Sequence, residues 1–256
     1  TELWCSPIDA AGELSHPQRI AGGDGSAESL FQPLWSSAGE LLVASDRSGW
    51  WTPQRWCPDQ QPAWQPLPLP QACETAMPQW VYGMRTMAAS ESALLALACA
   101  QGEWSLWQYP WQQQQWRRIP LRLNELSGLT ASSQRAVCLG ASATQRTTLL
   151  ELDLAAASHH PLQPAAPLPQ GLVGISEPRA LEFVGGDGQS SHGWYYPPTT
   201  SEAGPAPLLV KAHSGPTGMA RTGLNLAIQF WTSRGWGVVD VNYSGSTGFG
   251  RAYRQR

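Results

Sequence analysis

The last fifty residues constrain this chain more than any other stretch. Pro207-Leu-Leu-Val-Lys-Ala212 is a short apolar run that ends in the small-residue turn His213-Ser-Gly-Pro216. After an amphipathic segment, a second apolar run, Val238-Val-Asp-Val241, ends in the Gly-rich stretch Asn242-Tyr-Ser-Gly-Ser-Thr-Gly-Phe-Gly250. Two strands separated by a helix pair in parallel through a crossover, so this order predicts one strand–helix–strand unit of a parallel sheet. The helix is expected over about 222–234, because Leu224, Ala227, Ile228 and Trp231 fall at i, i+3, i+4 and i+7 and form one apolar face. Gly235 suits the left-handed position that closes a helix. Upstream, Arg179–Val184, the turn Gly185-Gly-Asp-Gly188 and His192–Tyr196 predict a β-hairpin feeding the same sheet.

Residues 1–172 read differently. Short runs rich in Leu, Val and Trp alternate with clusters of Gly, Pro, Ser and Gln, the pattern of an all-β array. The apolar strands are expected at 41–45, 93–99 and 136–140. Each is followed by a second strand, at Trp51–Trp56, Trp104–Tyr109 and Thr148–Leu152. Pro33-Leu-Trp35 and Pro78-Gln-Trp80 stand 45 residues apart and predict equivalent places in successive units, with a third unit starting near Asn124. Four short strands in about 40 to 50 residues is the dimension of a β-propeller blade. The 14 Trp suit packing between such blades, and Asp46-Arg47-Ser48-Gly49 reads as a turn whose aspartate accepts backbone hydrogen bonds. Pro161–Pro169 cannot hold a helix and suits an extended linker.

Composition excludes several classes of function. A net charge of −3 gives no field that gathers nucleic acid. The longest apolar run, Ala93–Ala100, is far short of the roughly 20 residues a bilayer needs, so no membrane partner is expected. Five cysteines, widely spaced and without a C-x-x-C pair, suggest neither a disulfide framework nor a zinc site; they read as reduced thiols. His159-His160 has no accompanying carboxylate or cysteine cluster and reads as a solvated loop pair. No metal or cofactor is expected.

Acyl transfer needs a nucleophile, a base and donors aimed at the developing oxyanion. No Gly-x-Ser-x-Gly elbow occurs in these residues. The nearest string, Ser244-Gly-Ser246-Thr-Gly248, has serine where the first glycine must stand. What the sequence does hold is a tight turn after a strand, His213–Pro216, of the kind that points a backbone N–H into an active site.

The two motifs together resemble the start of the catalytic domain in the prolyl oligopeptidase family of serine peptidases, in the branch of acylaminoacyl-peptidases and dipeptidyl aminopeptidases. There the first turn reads His-Gly-Gly-Pro and the second loop reads Asn-Tyr-Arg-Gly-Ser-Thr-Gly-Tyr-Gly-Arg. This chain departs at Ser214, Ser244 and Phe249. The resemblance implies a partial β-propeller of four-stranded blades over 1–172, followed by the beginning of an α/β-hydrolase domain over 173–256. It implies that Gly215 donates its backbone N–H to an oxyanion and that His213 supports the turn. Nucleophile, acid and base are expected outside these residues, which makes the chain an interior piece of a peptidase, inactive by itself. The implied parent is cytoplasmic and cleaves short peptides. The unclosed piece is expected to self-associate as a homo-oligomer or aggregate. Two rival readings are a propeller-based interaction module with a degenerate hydrolase tail, and an esterase of the α/β-hydrolase fold.

Overall fold

The computed structural model describes residues 1–256 apart from 157, 171, 173 and 201–203. Strands β1 (Glu2–Cys5) and β2 (Gln18–Gly22) pair as an antiparallel ribbon. Three four-stranded antiparallel meanders follow. The first holds β3 (Leu30–Trp35), β4 (Leu41–Ser45), β5 (Thr52–Trp56) and β6 (Trp64–Pro66). The second holds β7 (Met87–Ala89), β8 (Ala93–Ala100), β9 (Glu103–Pro110) and β10 (Arg117–Ile119). The third holds β11 (Glu125–Ser132), β12 (Arg135–Ala141), β13 (Thr148–Asp153) and β14 (Ser158–Pro161). The six strands expected from apolar runs are all present, as β4, β5, β8, β9, β12 and β13.

Strand β8 explains why one run in the chain is so apolar. Successive side chains of a strand point to opposite faces. Leu95, Leu97 and Cys99 enter a core shared with Leu126, Cys138 and Leu152 of the third sheet. Leu94, Ala96 and Ala98 enter another, shared with Phe31 and Leu42 of the first sheet. The second sheet is therefore packed on both sides, and a one-residue slip of β8 would exchange the two sets.

The 45-residue spacing does not survive. The opening strands β3, β7 and β11 begin at Leu30, Met87 and Glu125, 57 and then 38 residues apart. Trp35 ends β3, whereas Trp80 lies in no strand, so the two are not equivalent. The cause is segment 67–86, which leaves the sheets between β6 and β7. Glu74 and Cys99 pin it by exchanging both backbone N–H···O bonds at 2.8 Å. The aspartate turn also does more than expected: Asp46 accepts from the Ser29 N–H at 2.6 Å and, in addition, from two arginines of the C-terminal segment. His159 and His160 lie on the exposed edge strand β14 rather than in a loop, with His160 Nε2 3.4 Å from Glu151.

Residues 179–256 form a fourth, mixed sheet. Its elements are β15 (Arg179–Val184), β16 (Ser190–Tyr196), β17 (Leu208–Ala212), α1 (Leu226–Thr232), β18 (Gly237–Asn242) and α2 (Arg251–Arg254). The strand order is β15-β16-β18-β17, with β17 and β18 parallel and the other pairs antiparallel. The predicted hairpin and crossover are both present. Strand β17 is left at an edge, where Leu208 and Val210 are exposed.

Helix α1 is shorter and differently rotated than its sequence suggests. Residues 222–224 do not begin it, because they cross to the third sheet: the Leu224 N–H donates to Ser142 O and the Gly223 N–H to Glu125, at 2.8 and 2.7 Å. Asn225 caps the helix instead, its side chain accepting from the N–H groups of Ala227 and Ile228. The buried face is Ile228, Gln229 and Thr232, while Ala227 and Trp231 face outward. Gln229 belongs inside because its amide satisfies both backbone groups of Ser176, at 2.8 and 2.9 Å. Gly235 does take the left-handed conformation, at φ 84°.

All five cysteines are free. Burial pushes the Cys73 thiol up to about 12 and Cys138 to about 11, and raises Cys99 as well. Thiolate is the reactive form. Native protein at pH 8 should therefore label rapidly at half-buried Cys5 and Cys57 only, and at all five once denatured. Rapid native labelling of Cys99, followed by mass spectrometry, would show that the β8 core is open.

Candidate active site

The turn predicted from sequence follows the C-terminal end of β17, and three features shape it. Gly215 sits at φ +64°, in the region that disfavours a side chain. The His213 ring stacks on Tyr243, with centroids 4.3 Å apart. The Tyr243 hydroxyl reaches back to the turn, donating to the His213 carbonyl at 3.0 Å and also contacting that of Gly215.

His213 grips the turn from within. Its Nδ1 lies 3.3 Å from the Ser214 carbonyl. Its Nε2 lies 2.7 Å from the hydroxyl of Ser246, whose one hydrogen goes to the Tyr243 carbonyl at 2.7 Å, so Nε2 carries the ring proton and donates to that hydroxyl. The N–H and C=O of a trans peptide point in opposite directions. With the Ser214 carbonyl on the His213 side, the Gly215 N–H points away from that ring. Among the described residues that N–H makes no hydrogen bond. The amide of an exposed glycine, free and framed by half-buried His213 and Tyr243, is a donor available to a developing anion.

Ser246 itself is not placed to attack a substrate. It is fully buried and engaged by His213 and Tyr243, in a loop whose Thr247 N–H and hydroxyl bond the carbonyls of Gly218 and Thr217, at 2.9 and 2.8 Å. The serine–histidine contact is a strut that ties the Gly-rich loop to the turn.

That loop is anchored in turn to the antiparallel sheets. The Gly248 N–H donates to the carboxylate of Glu74, which is wholly buried. Gly248 has φ +103°, and a β-carbon there would meet the Cys99 sulfur at 3.1 Å, so the close approach requires glycine. Arg254 on α2 reaches Glu74 at 2.7 Å and Asp46 at 2.6 Å, and Arg251 lies 3.3 Å from Asp46. Burial holds the Glu74 carboxyl above its ordinary value of 4.5, against Arg254 and the Gly248 and Gly250 N–H donors, which pull it down. Glu74 was not singled out by sequence reasoning, and Trp80 was read only as the counterpart of Trp35 in a repeat, not as a residue near the site. Both lie in segment 67–86.

Among the described residues no group of three or more His, Cys, Asp or Glu is arranged to hold a metal ion, and no helix is long and apolar enough to cross a membrane. No family model and no curated protein matches the chain. Solved structures do. A puromycin hydrolase is 31% identical over 100% of this chain, with a TM-score of 0.90. A puromycin-hydrolyzing peptidase of Mycobacterium tuberculosis is 30% identical over 98%, with a TM-score of 0.87. An acylaminoacyl peptidase of Pyrococcus horikoshii, 17% identical with a TM-score of 0.65, shares the fold. The chain spans 39% of the first, 38% of the second and 39% of the third.

Removing one partner of a buried ion pair strands the others. Arg254→Ala should cost about 3–5 kcal/mol of stability at neutral pH, measured by denaturant unfolding. A carboxyl whose folded pKa is raised adds stability below its unfolded value near 4.5 and loses it as pH rises through the folded one. The cost of Arg254→Ala should accordingly shrink as the pH is lowered toward 4. An equal cost at all pH values would mean that Glu74 stays ionised without its partner.

Proposed function

Because this chain belongs to the prolyl oligopeptidase family of serine peptidases, we propose that it is part of a cytoplasmic enzyme that hydrolyses short peptides through an acyl-enzyme. On this reading the antiparallel sheets of residues 1–172 are blades of a β-propeller, and residues 173–256 open an α/β-hydrolase domain. One observation carries the proposal: a turn at the C-terminal end of a parallel strand presents the free Gly215 N–H, with His213 and Tyr243 as its frame.

The division of labour follows from that geometry. When a nucleophile attacks the scissile carbonyl, charge gathers on its oxygen, and the Gly215 N–H donates a hydrogen bond that strengthens as it does. His213 moves no proton in this scheme; it braces the turn by stacking on Tyr243 and bonding Ser246. Nucleophile, acid and base come from sequence other than these 256 residues, which contain no Gly-x-Ser-x-Gly. A donor without a nucleophile stabilises a charge that never forms. The esterase reading shares the turn but gives no role to the preceding sheets, and nothing in the geometry favours the interaction-module reading.

The full-length gene product should cleave aminoacyl or acyl-aminoacyl chromogenic substrates and be inactivated by a serine-directed phosphonate. The 256-residue chain alone should do neither. In the full-length protein Gly215→Pro removes the N–H and should lower kcat by about 10²–10³-fold. Unchanged turnover in that variant would make Gly215 a packing glycine, and resistance to the phosphonate would end the serine-peptidase reading.

A further inference from the structure

Segment 67–86 carries a second contact to the candidate site, separate from Glu74. The Trp80 indole N–H donates to the Thr217 hydroxyl at 3.0 Å. Its ring lies against Gly215 on the side where any other residue would carry its side chain: a β-carbon built there would stand 3.5 Å from it. Among the described residues, Trp80 is the only one before β15 hydrogen-bonded to the turn 213–218. Everything else that holds the turn, namely Tyr243, Ser246 and Thr247, lies on the other side, in the loop after β18.

The asymmetry matters because the donor is a glycine. Gly215 is exposed, and without a β-carbon its backbone can leave φ +64° at little steric cost. An oxyanion donor must be held within about 0.5 Å and 10–20° of its working geometry. Tyr243 grips the carbonyls of the turn and His213 braces it through Ser246, while among the described residues the mixed sheet gives Gly215 no contact like that of the Trp80 ring. Trp80 does so, with a flat ring and one directional hydrogen bond.

We propose that Trp80 is a positioning residue for the Gly215 N–H, supplied from the antiparallel sheets across the boundary with the mixed sheet. The proposal rests on reading Gly215 as the oxyanion donor. Trp80 does not touch the reacting atoms in this scheme. It narrows the conformations of the glycine that does, and its effect belongs to the transition state more than to substrate binding.

The test uses the full-length protein with three variants, Trp80→Ala, Trp80→Phe and Thr217→Val, in two measurements. Hydrogen exchange of the 213–218 segment should quicken about tenfold in Trp80→Ala, with the melting temperature little changed, and less in the other two. On a peptide substrate, kcat should fall about fivefold or more in Trp80→Ala, with KM within about twofold. Thr217→Val removes the hydrogen bond alone, whereas Trp80→Phe also withdraws the benzo-ring atoms that lie against Gly215, so adding Thr217→Val to Trp80→Phe should cost nothing further. A raised KM with unchanged kcat would make Trp80 a substrate contact and overturn the proposal. So would unchanged exchange in 213–218. If the wild-type protein hydrolyses no peptide, the peptidase reading falls, and exchange in the three variants alone decides whether Trp80 holds the turn.

Discussion

A buried carboxylate–arginine network joins the two halves of this molecule. Asp46 lies in the turn after β4 and Glu74 in segment 67–86, and Arg251 and Arg254 come from the short helix after the Gly-rich loop. Moving such charges out of water costs several kcal/mol each, and their attraction largely offsets that cost without adding much net stability. What the network adds is uniqueness. Glu74 binds Arg254 and the Gly248 N–H together, so the loop has one seat on the sheets, and the neighbouring Arg254 guanidinium lies 5.4 Å over the Trp51 ring.

From that seat the candidate site is assembled outward. Gly248 fixed on Glu74 sets the path of the 243–247 stretch, which presents Tyr243, Ser246 and Thr247 to the 213–218 turn. The turn then holds one free amide in place by gripping the groups around it. Apolar packing supplies the rigidity behind this arrangement: strand β8, buried from Ala93 to Cys99, places the Cys99 backbone, hydrogen-bonded to that of Glu74, at the bottom of the network. A site built this way tolerates little local change, because each donor is aimed by a neighbour that is itself aimed.

How much was legible beforehand depends on the range of the interaction. Strands β4 and β8 could be read because burial on both faces leaves an unbroken apolar run, whereas β12 buries Ala136 and Cys138 and leaves Leu139 exposed. The turn at His213–Pro216 and the loop after Asn242 could be read because tight turns demand small residues at set places. The face of α1 could not. Its pattern suggested Leu224, Ala227 and Trp231, yet Gln229 took the inside because the backbone of Ser176, 53 residues earlier, needed its amide. The matched Pro-x-Trp strings misled for a related reason, since one closes a strand and the other belongs to a connection.

The sequence by itself determined the local alphabet of this protein: the antiparallel strands, the parallel crossover, and the turn with its glycine. Those follow from steric limits and apolar periodicity, which act over a few residues. Only the tertiary structure decided that Glu74 and Trp80 serve the turn and its neighbouring loop. Glu74 reaches Gly248 across 174 residues, and Trp80 reaches Thr217 across 137. Such partners are selected by burial and shape once the sheets have packed, and no spacing along the chain encodes them.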